Sequence, residues 1–298
     1  MSAADDLFAG ERPRLIGLAY RLLGSLADAE DVVQEAWVRW DRADHDALDS
    51  PQAWLTTVVS RLGIDRLRAR QRAQVDYVGP WLPEPLVSAE DGPAAAAVLG
   101  DSLTTAFLVL LERLSPEERL VLLLADVFGQ PFGNVAEVVG KSADATRQIA
   151  VRARRKVRTD DAGVPRRAGR EHQLAVAAEF VAAVVAGDED RVRALVTADG
   201  VLVSDGGARR HAARRPVIGP ERIARFLVNI YRRFMAIEGH EVTARSCWIN
   251  GSPGVVVSID AMPYWVAAFD IRDGHVDRLH ATLNPDKLTA VDRIIDLV

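Results

Sequence analysis

Only one cysteine, Cys247, occurs among the 298 residues, which excludes an internal disulfide and fits a reducing compartment. Inside an apolar, β-rich run it reads as a packed core thiol rather than a nucleophile. No apolar run approaches the ~20 residues needed to span a bilayer, and the acidic Met1 to Asp6 start lacks the basic and apolar parts of a signal peptide. A cytosolic protein is therefore expected. An overall excess of positive charge is also missing, since the formal net charge is −5, which argues against a uniformly basic nucleic-acid coat. Metal-ligand spacings, a nucleophile elbow and a phosphate loop are absent too, so the sequence assigns no metal, cofactor or catalytic residue.

What cations there are cluster at Arg61 to Arg72 and Arg147 to Arg170, and local fields matter more than the total. The most specific stretch is Leu114 to Arg158. Ser115-Pro116-Glu117-Glu118 supplies a hydroxyl cap, Pro at the first helical position and Glu three residues past the cap. Leu120, Val121, Leu123, Leu124, Val127 and Phe128 give the helix a broad apolar face, and Gly129 is placed to end it in a left-handed conformation. A shorter helix is expected from Asn134 to Val139, then a Gly140-Lys141-Ser142 turn in which Ser142 caps a third helix. This is the plan of a helix-turn-helix. In the third helix Thr146, Ala150, Ala153 and Val157 fall on one inward face, while Arg147, Gln148, Arg152, Arg154, Arg155, Lys156 and Arg158 point away from it. Arg and Gln suit base edges in a major groove, and the remaining cations suit phosphates.

Upstream, Asp5 to Leu23 reads as a helix with Leu15, Leu18, Ala19, Leu22 and Leu23 inward, interrupted near Pro13 and closed by Gly24. A second, capped by Ser25 or Asp28, runs to Trp40 and buries Val33, Ala36, Trp37 and Trp40, with Asp28, Glu30, Asp31, Gln34 and Glu35 on its polar side. That acidic face is either solvated or meets a basic partner. After a polar connection from Asp41 to Asp49, Ser50-Pro51 opens a third helix with Trp54, Leu55, Val58, Val59, Leu62 and Leu67 inward. Its cations Arg61, Arg66, Arg68, Arg70 and Arg72 suit the phosphates of single-stranded nucleic acid, with Trp54 either a base platform or core.

The runs Asp28 to Trp37, Ala53-Trp54-Leu55 leading to Ile64-Asp65-Arg66-Leu67-Arg68, and Leu114 to Arg119 with its helix-turn-helix resemble, in order and spacing, an alternative sigma factor of the extracytoplasmic-function type. The resemblance covers Leu7 to Arg158 and implies two all-α modules, a region 2 helical bundle (1–73) and a region 4 helix-turn-helix (101–160). By that resemblance the partners are bacterial core RNA polymerase and promoter DNA. Asp28, Asp31, Gln34 and Glu35 would dock on the polymerase clamp; Trp54, Arg61, Arg66 and Arg68 would take the melted −10 element. Lys141, Ser142, Arg147, Gln148, Arg152, Arg154 and Arg155 would read the −35 element. The sequence departs from the family at Arg61, where members often carry Asn.

Between the modules, 74–100 carries Pro80, Pro83, Pro85, Gly92 and Pro93 and cannot be a continuous helix before Ala94. Within it, Trp81 to Leu86 exposes too much apolar surface for a bare linker, so something should cover it. Past Pro165 and the basic Arg166 to Arg170 boundary, helices at Glu171 to Ala186, Asp190 to Val196 and Pro220 to Met235 accompany strands at Val201 to Ser204, Val242 to Ile249, Gly254 to Ile259, Trp265 to Ile271 and His275 to Thr282. Turn signals at Gly206-Gly207, Asn250-Gly251 and Asp273-Gly274 separate the strands. This α+β domain (171–298), with a curved, mostly antiparallel sheet, looks like a SnoaL-like cone.

A sigma subgroup with such a fused domain carries three short motifs. W-L-P-E-P stands at Trp81, Leu82, Pro83, Glu84 and Pro85, and N-P-D-K-L at Asn284, Pro285, Asp286, Lys287 and Leu288. D-G-G-G-K is altered to Asp205-Gly206-Gly207-Ala208-Arg209. By resemblance the fused domain replaces a separate anti-sigma protein and contacts the sigma core; the exposed Trp81 segment is expected to pack on the Asn284 to Leu288 face, or else on region 2. The alternative is a cone that holds a small ligand or does acid–base chemistry with Asp260, Tyr264, Trp265, Asp277, Arg278 and His280, the last pointing inward.

Overall fold

Gly24, with φ +68°, turns the chain between the first two helices, α1 (Ala3–Leu23) and α2 (Leu26–Asp41). The computed structural model describes residues 3–73, 77–88, 104–158, 169–235 and 239–291. The alanine run of the linker, the basic Arg166-Arg167 boundary and the last seven residues lie outside them. Ser25 caps α2, its Oγ accepting the Asp28 N–H at 3.2 Å. Contrary to expectation, α1 runs through Pro13 without interruption. One missing N–H costs a hydrogen bond, whereas buried Phe8 before the proline and fully buried Leu15, Leu18, Ala19, Leu22 and Leu23 after it hold the helix on both sides. A 23-residue helix, α3 (Pro51–Ala73), completes the first bundle.

Beyond the linker come α4 (Thr105–Leu111), α5 (Pro116–Leu122), α6 (Phe132–Val139) and α7 (Ala143–Arg158). The Ser115–Glu118 capping box is present in full. The expected single helix after it instead passes into a π turn, Leu123–Val127, closed by Phe128 N–H to the Leu123 carbonyl at 2.9 Å, before Gly129 at φ +61° ends it. α6 starts two residues earlier than Asn134 because Pro131 can precede a first turn that needs no donor. One continuous apolar core joins both sets of helices: Leu15, Leu22, Leu55 and Leu67 belong to the same cluster as Leu108, Leu120, Leu123 and Ile149.

The C-terminal domain is formed by α8 (Arg170–Ala186), α9 (Glu189–Ala194), α10 (Pro220–Met235) and a seven-stranded sheet. Its strands are β1 (Val87–Ser88), β2 (Val196–Asp205), β3 (Val217–Ile218), β4 (Val242–Ile249), β5 (Ser252–Ile259), β6 (Met262–Arg272) and β7 (His275–Thr282), in the order β1-β4-β5-β6-β7-β2-β3. All pairs are antiparallel except β2 with β7. Two expectations are corrected here. The helix from Asp190 stops at Ala194, and Val196 starts a strand rather than ending the helix, because it finds a ladder partner in Val276. An edge strand, β1, comes from the interdomain linker, with Val87 opposite Ile249 and Ser88 opposite Trp248.

The sheet has two unlike faces. Val255, Val257, Ala267, Phe269, Leu279 and Ala281 pack on α8, α9 and α10 with Phe180, Val192, Ile223 and Val228. The opposite face, with Val87, Cys247, Ile249, Val256, Val266 and Ala268, is covered by Leu288 and Val291 of the C-terminal tail. Ala290, between those two, packs into the helical core instead, so the tail is a wedge between sheet and helices.

Gly254 sits in mid-sheet, opposite Cys247 on one side and Ala268 on the other, where an added Cβ would strike the Ala267 carbonyl oxygen and the Ile249 side chain. Gly254→Ala is predicted to destabilise the protein by about 2 kcal/mol. Urea unfolding followed by tryptophan fluorescence checks it, and an unchanged midpoint would contradict this strand packing.

Candidate functional site

Three surfaces collect the residues that sequence analysis singled out. On α7, Ser142 Oγ accepts the Ala145 N–H at 3.2 Å and so caps the helix. Thr146, Ala150 and Ala153 are buried as expected, joined by Ile149, which the four-three-four spacing left out, while Val157 is half-buried. Arg147, Gln148, Arg152 and Arg155 are exposed on the outer side. Arg147 meets Asp144 at 2.5 Å, a pair within the first turn. Arg154 turns back instead: its guanidinium grips both oxygens of Asp126 at 2.8 and 2.5 Å, which raises its pKa. Lys156 likewise reaches Glu118 at 2.8 Å and Lys141 reaches Glu117 at 3.3 Å. These three cations pin α7 and its turn to the capped start of α5 and to the π turn. Gln148 and Arg152 have no partner among the described residues, leaving the middle of α7 free to donate to an external acceptor.

The second surface lies on α1, α2 and α3. Arg66 is shared between Asp28 at 2.7 Å and Asp31 at 3.0 Å, so residues expected to meet two different partners neutralise each other here. Glu35 pairs with Arg39 at 2.7 Å, and Arg68 with Asp65 at 3.2 Å, all four well exposed. Gln34 borders a groove of about 480 Å³ between α1 and α2, floored by Phe8, Val33 and Trp37. Trp54 is half-buried, its ring 5.7 Å from that of Trp40, so it is partly core and partly reachable. Arg61 donates to the Glu137 carbonyl of α6 at 3.2 Å.

The third surface is a joint in which all three parts of the chain meet. Asp205, at the end of β2, is fully buried. Its carboxylate accepts from the Tyr77 hydroxyl at 2.6 Å, the Leu82 N–H at 2.9 Å, the Gly207 N–H at 3.0 Å and Lys287 Nζ at 2.7 Å. Lys287 also donates to the Leu82 carbonyl and lies 4.0 Å above the Trp81 ring. Burial lowers its pKa to about 8, against the opposing pull of Asp205. Burial and the Asp205 carboxylate push the Tyr77 hydroxyl well above its ordinary range, so it stays a donor.

Below the ring is a second cation, Arg70 of α3, 4.3 Å from its centroid. Arg70 then donates to both oxygens of Glu112 at 2.9 Å and to the Leu23 carbonyl. Glu112 in turn holds the fully buried Arg119 of α5, which donates to the Arg21 carbonyl at 3.0 Å. Trp81 thus meets both a tail cation and a helix cation, and it fills the space a side chain at Gly24 would need. Glu84 acts as a borrowed cap: its carboxylate accepts from Ser25 Oγ and from the Leu26 N–H, both at 2.7 Å, at the start of α2.

Other members of the motifs take structural parts. Asn284 caps the short 3₁₀ turn Pro285–Lys287, accepting the Asp286 N–H at 3.2 Å, and donates to Tyr77 at 3.0 Å. Asn284 also lies where a Cβ on Gly207 would stand, so the second glycine of the altered D-G-G motif is needed both for its φ of +57° and for this approach. Asp286 pairs with Arg209 at 3.2 Å, and Leu82, Pro83, Pro85 and Leu288 fill the apolar spaces. Arg70, expected to face phosphates, is instead turned inward onto Trp81 and Glu112, and sequence reasoning missed Tyr77, Glu112 and the side-chain role of Asn250. Asn250, read only as a turn residue, is buried between Tyr20, Leu86 and Thr105 and hydrogen-bonds all three. The Asn-Gly pair marked the turn, which Asn250 makes at a φ of 48°, but nothing nearby marked the partners of its side chain.

The candidate acid–base residues are not brought together. Asp260 binds His240 at 2.6 Å on the exposed β5–β6 turn, and Asp277 binds Arg272 at 2.7 Å. His280 lies 3.6 Å from Asp270, and strand alternation puts both on the face shared with Ala268 and Val266. That is the face toward the tail, not the cone interior as expected.

Residues 7–73 match the Sigma-70 region 2 family and residues 104–157 the Sigma-70, region 4 family. The chain is 40% identical over 296 residues to the ECF RNA polymerase sigma factor SigJ of Mycobacterium tuberculosis, covering 95% of this chain and 92% of that protein. It is 29% identical over 294 residues to the probable ECF RNA polymerase sigma factor SigI of the same organism, covering 97% of each. The crystal structure of M. tuberculosis SigJ superposes with a TM-score of 0.76 at 37% identity, over 96% of this chain and 99% of that one.

Burial, aided by nearby Arg278, lowers the pKa of His280 from 6.5 to about 4. Since the unfolded chain takes up this proton below pH 6.5 and the folded one only near pH 4, the group's contribution is complete above 6.5 and is lost as pH falls toward 4. The loss should be on the order of 3 kcal/mol. His280→Leu is therefore expected to flatten the stability profile between those values relative to the parent; parallel profiles in denaturant titrations would refute it.

Proposed function

The chain belongs to the extracytoplasmic-function family of RNA polymerase sigma factors, and from that premise we propose that the structure is its closed form, held shut by the C-terminal domain. As a sigma factor it binds bacterial core RNA polymerase and directs promoter recognition, which is binding and not enzymatic chemistry. We assign region 2 to 1–73, the linker to 74–100, region 4 to 101–160 and the regulatory SnoaL-like domain to 171–298.

Within these, the exposed middle of α7, Arg147, Gln148, Arg152 and Arg155, is the −35 reader, with Lys141, Ser142 and Arg154 orienting it. Trp54, Arg61, Arg66 and Arg68 take the −10 element, and Asp28, Asp31, Gln34 and Glu35 take the polymerase clamp. Arg66 must then leave Asp28 and Asp31 when both partners bind. Since those pairs are half-exposed, releasing them costs little.

One observation carries the closed-form reading: α3 packs directly on the helix-turn-helix, with Arg61 bonded to the Glu137 carbonyl and one apolar core shared across both modules. The two promoter elements are centred about 25 base pairs apart, roughly 85 Å along a duplex at 3.4 Å per pair. Helices in a common core cannot reach both. Opening is required, and the Asp205–Lys287–Trp81–Arg70–Glu112 chain ties tail, linker, region 2 and region 4 into the closed arrangement.

Lys287→Met keeps the aliphatic stem and removes the charge that bridges Asp205 to Trp81. With core polymerase and a cognate promoter, it is expected to give several-fold more transcript per folded molecule than the parent, while lowering stability because Asp205 loses its buried cation. Equal or lower yield from a folded variant would overturn the latch. In the same assay Arg152→Ala should lose about 1–3 kcal/mol of −35 discrimination. Unchanged promoter preference would remove Arg152 from the reader.

A further inference from the structure

The loop between β2 and β3 leaves the sheet at Asp205 and returns at Ala213. Ser204 Oγ accepts the Ala213 N–H at 2.9 Å, and the Arg210 N–H reaches the Gly206 carbonyl at 3.1 Å, so the excursion is internally fixed. Together with Val78 and Gly79 of the linker, it walls a recess of about 140 Å³. Arg209, Arg210, His211 and Arg214 line it, and no carboxylate does.

Two of these side chains are already engaged. Arg209 meets Asp286, and Arg210 stacks 4.0 Å from the Tyr264 ring and donates to its carbonyl. His211 and Arg214 are exposed and have no hydrogen-bond or ion-pair partner among the described residues. Asp205, the nearest carboxylate in sequence, is turned under the loop and saturated by its own donors. A small recess walled by guanidinium donors and lined by no carboxylate is a trap for a compact anion.

We propose that this recess binds the phosphate group of a small phosphorylated metabolite, with Arg214 and His211 as its principal ligands. Guanidinium and imidazole donors around one small hollow suit a tetrahedral group that accepts from several directions. Its setting between loop and linker favours a small molecule over a nucleic-acid backbone. The consequence for regulation rests on the closed-form reading, whereas the binding does not. Val78-Gly79 lies just before Trp81, and Gly206-Gly207 directly follows Asp205, so a ligand bridging both walls tightens the joint and lowers initiation.

Isothermal titration of the full chain with inorganic phosphate and with glycerol 3-phosphate, at fixed ionic strength, tests the site. Both should bind, and Arg214→Gln or His211→Gln should each weaken affinity by about tenfold, with melting temperatures unchanged because both side chains are exposed. No binding, or equal affinity in parent and variants, overturns the proposal. A third arm uses a duplex of scrambled sequence. If Arg214→Gln weakened duplex binding and left phosphate binding intact, the patch would belong to nucleic acid and the metabolite reading would fall. Promoter-dependent transcription separates the two levels: should Lys287→Met activate while phosphate does not bind, only the site is lost and the latch stands.

Discussion

Everything at the joint depends on one carboxylate kept away from water. Removing an ion of that size from solvent costs several kcal/mol, and Asp205 is tolerable there only because four donors from three segments converge on it. Two are from the linker, one from its own loop and one from the tail. Such a cluster contributes little net stability beyond what apolar packing would give, but it fixes register, because any shift leaves a buried charge unpaired. The lowered pKa of Lys287 points the same way: for that ammonium the desolvation outweighs the attraction. The arrangement is specific rather than maximally stable.

From Lys287 the coupling continues by stacking and ion pairing through Trp81, Arg70 and Glu112 to Arg119. No single step is strong. Cation–π contacts are worth about 0.5–2 kcal/mol each, yet each links a different part of the chain. The sheet contributes through its second face, where a strand from the linker, the tail and the buried His280 displace solvent. A SnoaL-like sheet with one face on its own helices and the other on the linker strand and the tail is thereby a contact module.

Much of this was legible in the sequence where local chemistry decides structure. Ser115 to Glu118 encodes its own capping box, Gly129 and Gly140 their left-handed ends, and the period of α7 its buried side. The expected meeting of the Trp81 segment with the Asn284 to Leu288 segment is present, through Lys287. Tyr77 and Asn250 have no sequence context that marks them, because their roles exist only once residues more than a hundred positions away are adjacent. Arg66 and Arg154 looked like free cations for the same reason: their neutralising carboxylates, Asp28 and Asp126, lie on other helices. The continuous path of α1 through Pro13 and the switch to strand at Val196 are tertiary effects, in which packing and a ladder partner override local preference.

The sequence separations across the joint also set an order in time. Lys287 closes on Leu82 and Asp205 from 205 and 82 positions downstream. At a synthesis rate of about 5–20 residues per second, the tail emerges on the order of ten seconds after α7 is complete. For that interval each new molecule has both promoter-reading modules and no latch. On the closed-form reading, each chain thus spends that interval unlatched while still tethered to the ribosome, and the closed arrangement describes only finished chains.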